Sequence, residues 1–343
     1  MSGTSLDGVD LAFCSFDRKN DQWCYKITET ETVQYPKEWK NRLSDLENGN
    51  ALTFAQTDID YGHYLGMICQ AFLLRHDLHP DFIASHGHTI FHVPANRMTY
   101  QIGKGALIAA GAGYPVISDF RSLDVALGGQ GAPLVPIGDR LLFGNFDYCL
   151  NLGGFGNISY EFENRRIAFD VCPVNIALNH YAKLAGYEYD NDGEMAGTGN
   201  LHSGLLNSLN QLSYYHKSPP KSLGKEWVLA EFLPVLENFN LPVPDILKTV
   251  CEHISTQIAK VIPHDSKKKM LVTGGGAFNG YLIDNIREKA GVQVILPDPL
   301  TINYKEALIF AFLGVLRWRN EPNCLKTVTG ASKDNIGGSI FSS

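Results

Sequence analysis

Ser2-Gly3-Thr4-Ser5-Leu6-Asp7-Gly8 leads directly into the extended run Val9–Phe16, and Asn151-Leu152-Gly153-Gly154-Phe155-Gly156-Asn157 leads in the same way into Ile158–Phe162. Each is a glycine-rich turn ahead of a segment that reads as a strand. Further along, each is followed by an apolar strand that runs straight into another turn, Ser85-His86-Gly87-His88-Thr89 and Thr273-Gly274-Gly275-Gly276-Ala277. The simplest architecture with this repeat is two similar halves facing a cleft; chance recurrence within an α/β chain is the competing reading.

Working outward, strands and helices alternate over most of the chain. Asp81–Ser85, Pro115–Ser118, Tyr148–Leu152, Ile158–Phe162, Lys269–Thr273 and Val292–Leu296 read as strands, several of them apolar on both faces. Ile246, Leu247, Val250, Cys251, Ile254, Ile258 and Val261 recur at helical spacing, as do Tyr61, Tyr64, Leu65, Ile68 and Phe72. A mostly buried mixed sheet covered by helices is expected. The polar, proline-containing stretch Tyr214–Lys225 reads as a long loop, a class that is often functional.

Composition narrows the function. The 343 residues are 44% hydrophobic and 19% charged, enough for two domains or one large one. The formal net charge is −7 and no basic run exceeds Lys267–Lys269, so neither nucleic acid nor an anionic membrane is expected as a partner. The longest apolar stretch, Ala307–Leu316, is about half the length of a membrane span, and the N-terminus lacks a signal-peptide layout. A soluble, cytoplasmic protein is expected. Seven cysteines, an odd number without a CxxC pair, read as reduced core thiols. The 33 glycines gather in short clusters, which makes those clusters the candidate ligand turns.

The Ser2–Asp10 turn combines glycines, hydroxyls and the carboxylates of Asp7 and Asp10. Such a turn can offer backbone N–H groups to a phosphate, with Asp7 reaching Mg2+ through its water shell, or it can be an ordinary β-turn. No GK[ST] follows it, and GxGxxG ahead of a helix is absent from it, which weakens the P-loop and dinucleotide readings. Gly128-Gly129-Gln130-Gly131 implies close backbone approach at a ligand, a hinge or a helix start. Gly274-Gly275-Gly276, between a strand and the helix Tyr281–Ala290, puts N–H groups at a crevice suited to a nucleotide. His86, His88 and His92 have a spacing that can serve zinc, but without a nearby carboxylate or thiolate ligand they read as hydrogen-bonding groups at a cleft edge. Asp170, at a strand end, is a general base or the cap of the next helix. Cys172 has no identifiable histidine partner and reads as a buried thiol.

Taken in order, Met1-Ser-Gly-Thr-Ser-Leu-Asp-Gly-Val-Asp10, Ser85-His-Gly-His-Thr-Ile90, Ser118-Asp-Phe-Arg121, Ala126-Leu-Gly-Gly-Gln-Gly-Ala-Pro-Leu-Val-Pro136, Asn151-Leu-Gly-Gly-Phe-Gly-Asn-Ile-Ser159, Val272-Thr-Gly-Gly-Gly-Ala-Phe-Asn279 and Thr329-Gly-Ala-Ser332 strongly resemble the anhydro-N-acetylmuramic acid kinase family. The resemblance spans the chain. It implies an α/β, two-domain actin-like ATPase fold with ribonuclease H-like halves. The N-terminal domain would comprise residues 1–145 plus 308–343, and the C-terminal domain residues 146–307, with the nucleotide between them. The family opens the 1,6-anhydro ring of its amino sugar with water and phosphorylates O6 from ATP, in recycling of cell-wall peptidoglycan. The resemblance also implies a homodimer. On that pattern Gly3, Thr4, Ser5, Leu6, Asp7, Gly8, Val9 and Asp10 hold the ATP phosphates, and Gly153, Gly154 and Asn157 close on them. Gly274, Gly275 and Gly276 lie near the nucleoside, and Asp7 serves Mg2+ through water. Asp170 matches the catalytic aspartate, Glu306 matches a second carboxylate at the sugar, and Arg121, His86 and Asn175 are sugar contacts.

Three departures from the family pattern stand out. Members carry a short strand ahead of the first motif, whereas Met1 here is the motif's own methionine; a central strand is expected upstream, and its loss would leave ladder groups unpaired. Cys172 and Val174 stand where glycine or a small residue is usual, which is expected to alter the approach to the sugar. His88 replaces a glutamine by a titratable ring. Two rival readings follow: a catalytically weak paralogue that binds nucleotide or another sugar, and a zinc hydrolase built on the three histidines.

Overall fold

The computed structural model describes residues 1–3 and 6–342. Its strands, in chain order, are β1 (Gly8–Lys19), β2 (Gln22–Gln34), β3 (Ile83–Ala84), β4 (His88–Val93), β5 (Met98–Ile102), β6 (Val116–Ser118), β7 (Tyr148–Leu152), β8 (Phe155–Phe162), β9 (Arg165–Pro173), β10 (Lys269–Thr273), β11 (Gln293–Ile295) and β12 (Ser339–Phe341). The chain forms two compact units, Met1–Leu142 with Tyr304–Ser343, and Phe143–Asn303.

The second unit holds a five-stranded sheet in the order β11-β10-β7-β8-β9. β7, β8 and β9 form an antiparallel meander, while β10 runs parallel to β7 and β11 parallel to β10. In strand order of appearance this is 3-2-1-4-5 with the second strand reversed, the ribonuclease H-like arrangement. β7 is apolar on both faces because helices cover the sheet: Leu150 and Leu152 are fully buried in one core with Ala177, Leu178, Ile246, Val250, Ile254 and Leu282. The helix Val243–Val261 forms where the apolar spacing places it, with Pro244 in its first turn, where a missing N–H costs nothing. Its inward side chains are completely buried, each contributing about 1.5–3 kcal/mol.

The first unit divides its strands among three ladders: β1 with β2, β12-β6-β3, and β4 with β5. β1 and β2 form a long antiparallel ribbon interrupted by a bulge at Phe13/Cys14. β3 is shorter than the expected run Asp81–Ser85, because among the described residues its ladder partner is β6 on one edge only. The helix Ala51–Arg75 begins at Asn50, whose side chain accepts the Thr53 N–H, and buries Tyr61, Leu65, Ile68 and Phe72 against Val9, Leu11, Ile102 and Ile108. The helix Pro299–Trp318 is long and apolar enough to cross a membrane by length and composition, and 61% of its most apolar window is buried inside the protein. All seven cysteines are free thiols.

Two polar networks fix the first unit. The fully buried Asp124 carboxylate accepts from the Gly131 N–H at 2.8 Å, Cys324 Sγ at 3.0 Å, Thr329 Oγ1 at 2.8 Å and Asn335 Nδ2 at 2.8 Å. The Gly128–Gly131 cluster is thereby a clamp: the Gln130 N–H donates to the Thr329 carbonyl, binding the C-terminal segment to the turn. The second network runs from His88 Nδ1 to Ser2 Oγ at 2.8 Å, on to Tyr35 OH at 2.7 Å, and to Tyr61 OH at 2.5 Å. Burial lowers the His88 pKa to about 4.

Asp124→Ala strands four buried donors. It is expected to lower stability by about 3–5 kcal/mol in urea unfolding, whereas Leu123→Ala at the exposed neighbouring position costs less than about 0.5 kcal/mol. His88 stays neutral in the folded state to well below the ordinary histidine value of 6.5, so its contribution to stability is complete above that pH and is lost as pH falls toward 4. His88→Gln is expected to flatten the decline in urea midpoint across that window by up to one proton's worth, about 1.4 kcal/mol per pH unit.

Candidate functional site

In the second unit the glycine turns after β7 and β10 meet the start of the helix Asn175–Leu184 at the carboxyl ends of two adjacent parallel strands. Open α/β sheets bind ligands at such a switch point. The Gly154 carbonyl accepts from the Val174 and Ile176 N–H groups, and the Gly153 carbonyl from the Asn175 N–H. Asn175 Nδ2 donates to the Leu152 carbonyl at 3.0 Å. Gly274 has φ +82°, and a Cβ there would lie 2.6 Å from Asn151 Oδ1 and 2.8 Å from the Leu152 carbonyl carbon, so the two turns interlock only through glycine. Gly274, Gly275, Gly276, Gly153, Gly154 and Asn175 are therefore gathered. A short 3-10 turn, Gly275–Phe278, separates the glycines from the helix Gly280–Ala290, and Asn279 caps that helix by accepting the Leu282 N–H. The glycines thus open onto this turn and not directly onto the first turn of the long helix.

Asp170 lies on β9 opposite Asn157, beside a bulge at Gly156/Asn157. It does not cap the next helix, whose N-cap is Val174 without a side-chain bond. Instead the loop after Tyr214 holds it. Tyr214 OH donates to the Asp170 carbonyl at 2.5 Å, the Asp170 N–H donates to the Lys221 carbonyl at 3.2 Å, and the Leu223 N–H donates to Asp170 Oδ2 at 2.9 Å. Burial raises the Asp170 pKa, and the Leu223 N–H opposes that rise. The long polar loop is thus the bracket of the carboxylate.

Cys172 and Val174 are both fully buried and point into the core. Room for them comes from Gly156, where a Cβ would lie 3.0 Å from Val174 Cγ2. Their bulk packs behind the strand, against Gly156. Burial pushes the Cys172 thiol well above its ordinary value, leaving it protonated and a poor nucleophile.

In the first unit Arg121 and His86 form a fixed pair. Arg121 Nε and Nη2 reach His86 Nε2 at 3.0 and 2.9 Å, and Arg121 Nη1 donates to the Gly131 carbonyl at 2.6 Å. His86 Nδ1 donates to the Gly87 carbonyl at 2.9 Å while Nε2 accepts from Arg121, the pattern of a neutral ring; burial and then Arg121 hold its pKa well below the usual value. Desolvation lowers the Arg121 pKa to about 10, with Glu306 opposing. Glu306 is exposed by surface area yet crowded by protein, and desolvation raises its pKa against the pull of Arg121. Its surface exposure keeps that rise smaller than full burial would give. Lys305, one residue earlier, is buried and anchors the helix through a 2.7 Å ion pair to Asp139. Asp10 Oδ1 accepts from Thr32 Oγ1 at 2.7 Å, and Thr32 lies 3.1 Å from Tyr304 OH.

The first turn is only partly a ligand surface. Ser2 is buried in the histidine network, Gly8 pairs with Gln34 in the ribbon, and the Val9 side chain is in the core. Leu6 holds a left-handed φ of 57°, a strained conformation for a branched residue, while Asp7 is exposed. Gly3 lies beside Thr4 and Ser5, which fall outside the described residues. The histidines do not converge: His92 Nδ1 contacts Thr99 Oγ1, and among the described residues no three His, Cys, Asp or Glu gather as a metal-binding group.

The sequence model of the anhydro-N-acetylmuramic acid kinase family matches residues 1–343. The anhydro-N-acetylmuramic acid kinase of Hydrogenovibrio crunogenus is 33% identical over 356 residues, covering 99% of this chain and 96% of that protein. The protein of the same name from Vibrio cholerae is 34% identical over 368 residues, covering 99% and 96%. Among solved structures, the ADPNP-bound activator of the 2-hydroxyisocaproyl-CoA dehydratase from Clostridium difficile aligns at 13% identity over 90% of this chain and 97% of that one, with a TM-score of 0.40. On the full-length family match and these full-length relatives, the chain belongs to the anhydro-N-acetylmuramic acid kinase family.

Proposed function

We propose that the chain uses ATP and Mg2+ to phosphorylate O6 of anhydro-N-acetylmuramic acid while water opens the 1,6-anhydro ring, yielding N-acetylmuramic acid 6-phosphate for peptidoglycan recycling. The match to the family over residues 1–343 carries this reading. In it, water attacks C1 and gives its proton to the Asp170 carboxylate as the C1–O6 bond breaks. The O6 electron pair passes to the γ-phosphorus and ADP leaves, so the departing oxygen is captured rather than protonated. A half-buried carboxylate whose pKa burial raises, with one N–H opposing that rise, suits that task.

The turn amides at Gly153, Gly154 and Gly274–Gly276 supply donors for phosphate and nucleoside, with Asn157 beside Asp170. Gly3–Asp10 supplies phosphate contacts in the other unit, where Arg121, His86 and Glu306 are assigned to the sugar, as is Asn175 in the second unit. Mg2+ takes carboxylate and water oxygens, and the exposed Asp7 suits an outer-shell contact. Bound with ATP, the ion would neutralise phosphate charge. The inward packing of Cys172 and Val174 supports an active enzyme over a decayed relative.

ADP release with ATP and Mg2+ is expected to depend on the anhydro-sugar, and Asp170→Asn is expected to lower turnover by about 10²–10⁴-fold with little change in nucleotide-induced thermal shift. Sugar-dependent turnover that survives in Asp170→Asn would sink the assignment of the base. Leu223→Pro removes the N–H that stabilises the ionised carboxylate. The acidic limb of the kcat/KM profile, where Asp170 becomes protonated, is therefore expected to move to higher pH, and an unmoved limb contradicts the bracket's role.

A further inference from the structure

The bracket around Asp170 is a short piece of chain, tied to the core of the second unit by side chains that lie outside every glycine-rich motif. Tyr214 and Tyr215 sit in the 3-10 turn Ser213–His216. Neighbouring side chains in such a turn point about 120° apart, so the two tyrosines leave it in different directions. Tyr214 OH donates to the Asp170 carbonyl at 2.5 Å, while Tyr215 OH meets His253 Nε2 at 2.8 Å. His253 belongs to the helix Val243–Val261 and is completely buried. One turn therefore joins β9 to a helix of the core.

The hydrogen bonds around His253 assign its proton. Asn210 Oδ1, at the end of the helix Ser203–Asn210, accepts from Gln257 Nε2 at 2.7 Å and lies 2.8 Å from His253 Nδ1. A carbonyl oxygen only accepts, so Nδ1 carries the hydrogen and the bare Nε2 accepts from the Tyr215 hydroxyl. Gln257 follows His253 by one helical turn on the same face, which lets both reach one acceptor. Burial, and then Lys260, lowers the His253 pKa to about 3, and burial holds that of Tyr215 well above its ordinary value. The ring and the phenol stay neutral, and their bond keeps one direction.

If stability were the only gain, apolar side chains of similar shape would hold the turn as well, because a buried hydrogen bond adds little beyond the water contacts it replaces. What it adds is a fixed angle. The surrounding contacts are aromatic: the Tyr215 ring meets the His253 ring edge-on at 4.8 Å, Phe232 lies 5.7 Å from His253, and Trp227 lies 5.4 Å from Tyr214. Beyond the turn, Lys221 Nζ donates to the Tyr214 carbonyl at 3.4 Å and stands 4.7 Å from the centre of the Tyr214 ring. Lys221 also receives the Asp170 N–H on its own carbonyl, and two residues later the Leu223 N–H reaches Asp170 Oδ2. A shift of Tyr215 is thus passed through Tyr214 and Lys221 to both sides of the carboxylate.

We propose that His253 is a positioning residue for the reaction: through Tyr215 it fixes the turn that aims the Asp170 carboxylate at the attacking water. This rests on the assignment of Asp170 as the base. His253 acts only through Tyr215, and a displacement of about 1 Å at a reacting group is enough to slow a reaction by up to about 100-fold.

His253→Gln keeps an acceptor for the Tyr215 hydroxyl, whereas the double variant His253→Leu/Tyr215→Phe removes donor and acceptor together and fills the space with apolar atoms. In ADP release with ATP, Mg2+ and the anhydro-sugar, His253→Gln is expected to keep kcat within about threefold. The double variant is expected to lose about 10–100-fold in kcat with the KM for ATP within about twofold, and to keep Tm within about 4 °C. Amide hydrogen exchange at Asp170 and Leu223 is expected to quicken by about 10-fold or more in the double variant and to hold in His253→Gln, with Leu150 in β7 unchanged in both. Should the double variant fail to fold, Tyr215→Phe alone, which removes one oxygen atom, is read in the same way. A kcat within twofold of the unsubstituted chain's, or unchanged exchange at Leu223, overturns the inference. So does a fall in kcat matched by an equal rise in the KM for ATP, which marks a general loosening of the unit. Absence of sugar-dependent turnover in the unsubstituted chain sinks the proposed reaction instead, and the exchange at Asp170 and Leu223 still decides whether His253 holds the turn.

Discussion

A strand covered by helices on both faces must find a hydrogen-bond partner along each edge, because no water reaches its peptide groups. The second unit obeys this without exception at its centre: β7 has β8 on one side and β10 on the other, and its apolar sequence can therefore be buried completely. From that central strand the rest follows. The turns that leave β7 and β10 must pass each other at close range, which is why glycine stands at 274, and the crevice they leave is bounded by backbone rather than by side chains.

The same requirement applied to side chains separates the fully buried Asp124 from the half-buried Asp170. Asp124 meets four donors, so its charge is fully spent on holding the chain together and none of it is left to act on anything else. Asp170 Oδ2 meets one backbone N–H, and the other bonds in its bracket go to its own peptide group. Burial raises the pKa of this lightly compensated carboxylate, against the pull of that N–H. Donor number and depth both set Asp124 apart from Asp170.

Much of the fold was legible because it is written in local pattern. Tyr148–Leu152 and Lys269–Thr273 are strands with the bounds their apolar runs suggest, and the helix Val243–Val261 buries Ile246, Leu247, Val250, Cys251, Ile254 and Ile258 as their spacing requires. The glycine turns at 153 and 274 could be named for the same reason. What could not be read is what arrives from a distance. Leu223 reaches Asp170 across 53 residues, and Lys305 finds Asp139 from a helix far along the chain. Neither pairing has a periodicity or a motif to announce it. The facing of Cys172 was equally hidden: a one-residue bulge beside it resets the alternation of β9, and an alternating pattern carries no mark of where a bulge falls.

The clamp at Asp124 also imposes an order in time. Cys324, Thr329 and Asn335 lie 200, 205 and 211 residues downstream of the aspartate they satisfy. On a ribosome adding about 5–20 residues per second, that carboxylate waits roughly 10–40 s for its donors. The second unit, by contrast, is one uninterrupted stretch of chain that is fully synthesised before the last helix of the first unit appears. Vectorial synthesis therefore completes the sequence of the inserted unit first, before the donors of Asp124 are made. A chain that stops short of residue 324 has none of the three side-chain donors that satisfy Asp124 from the C-terminal segment.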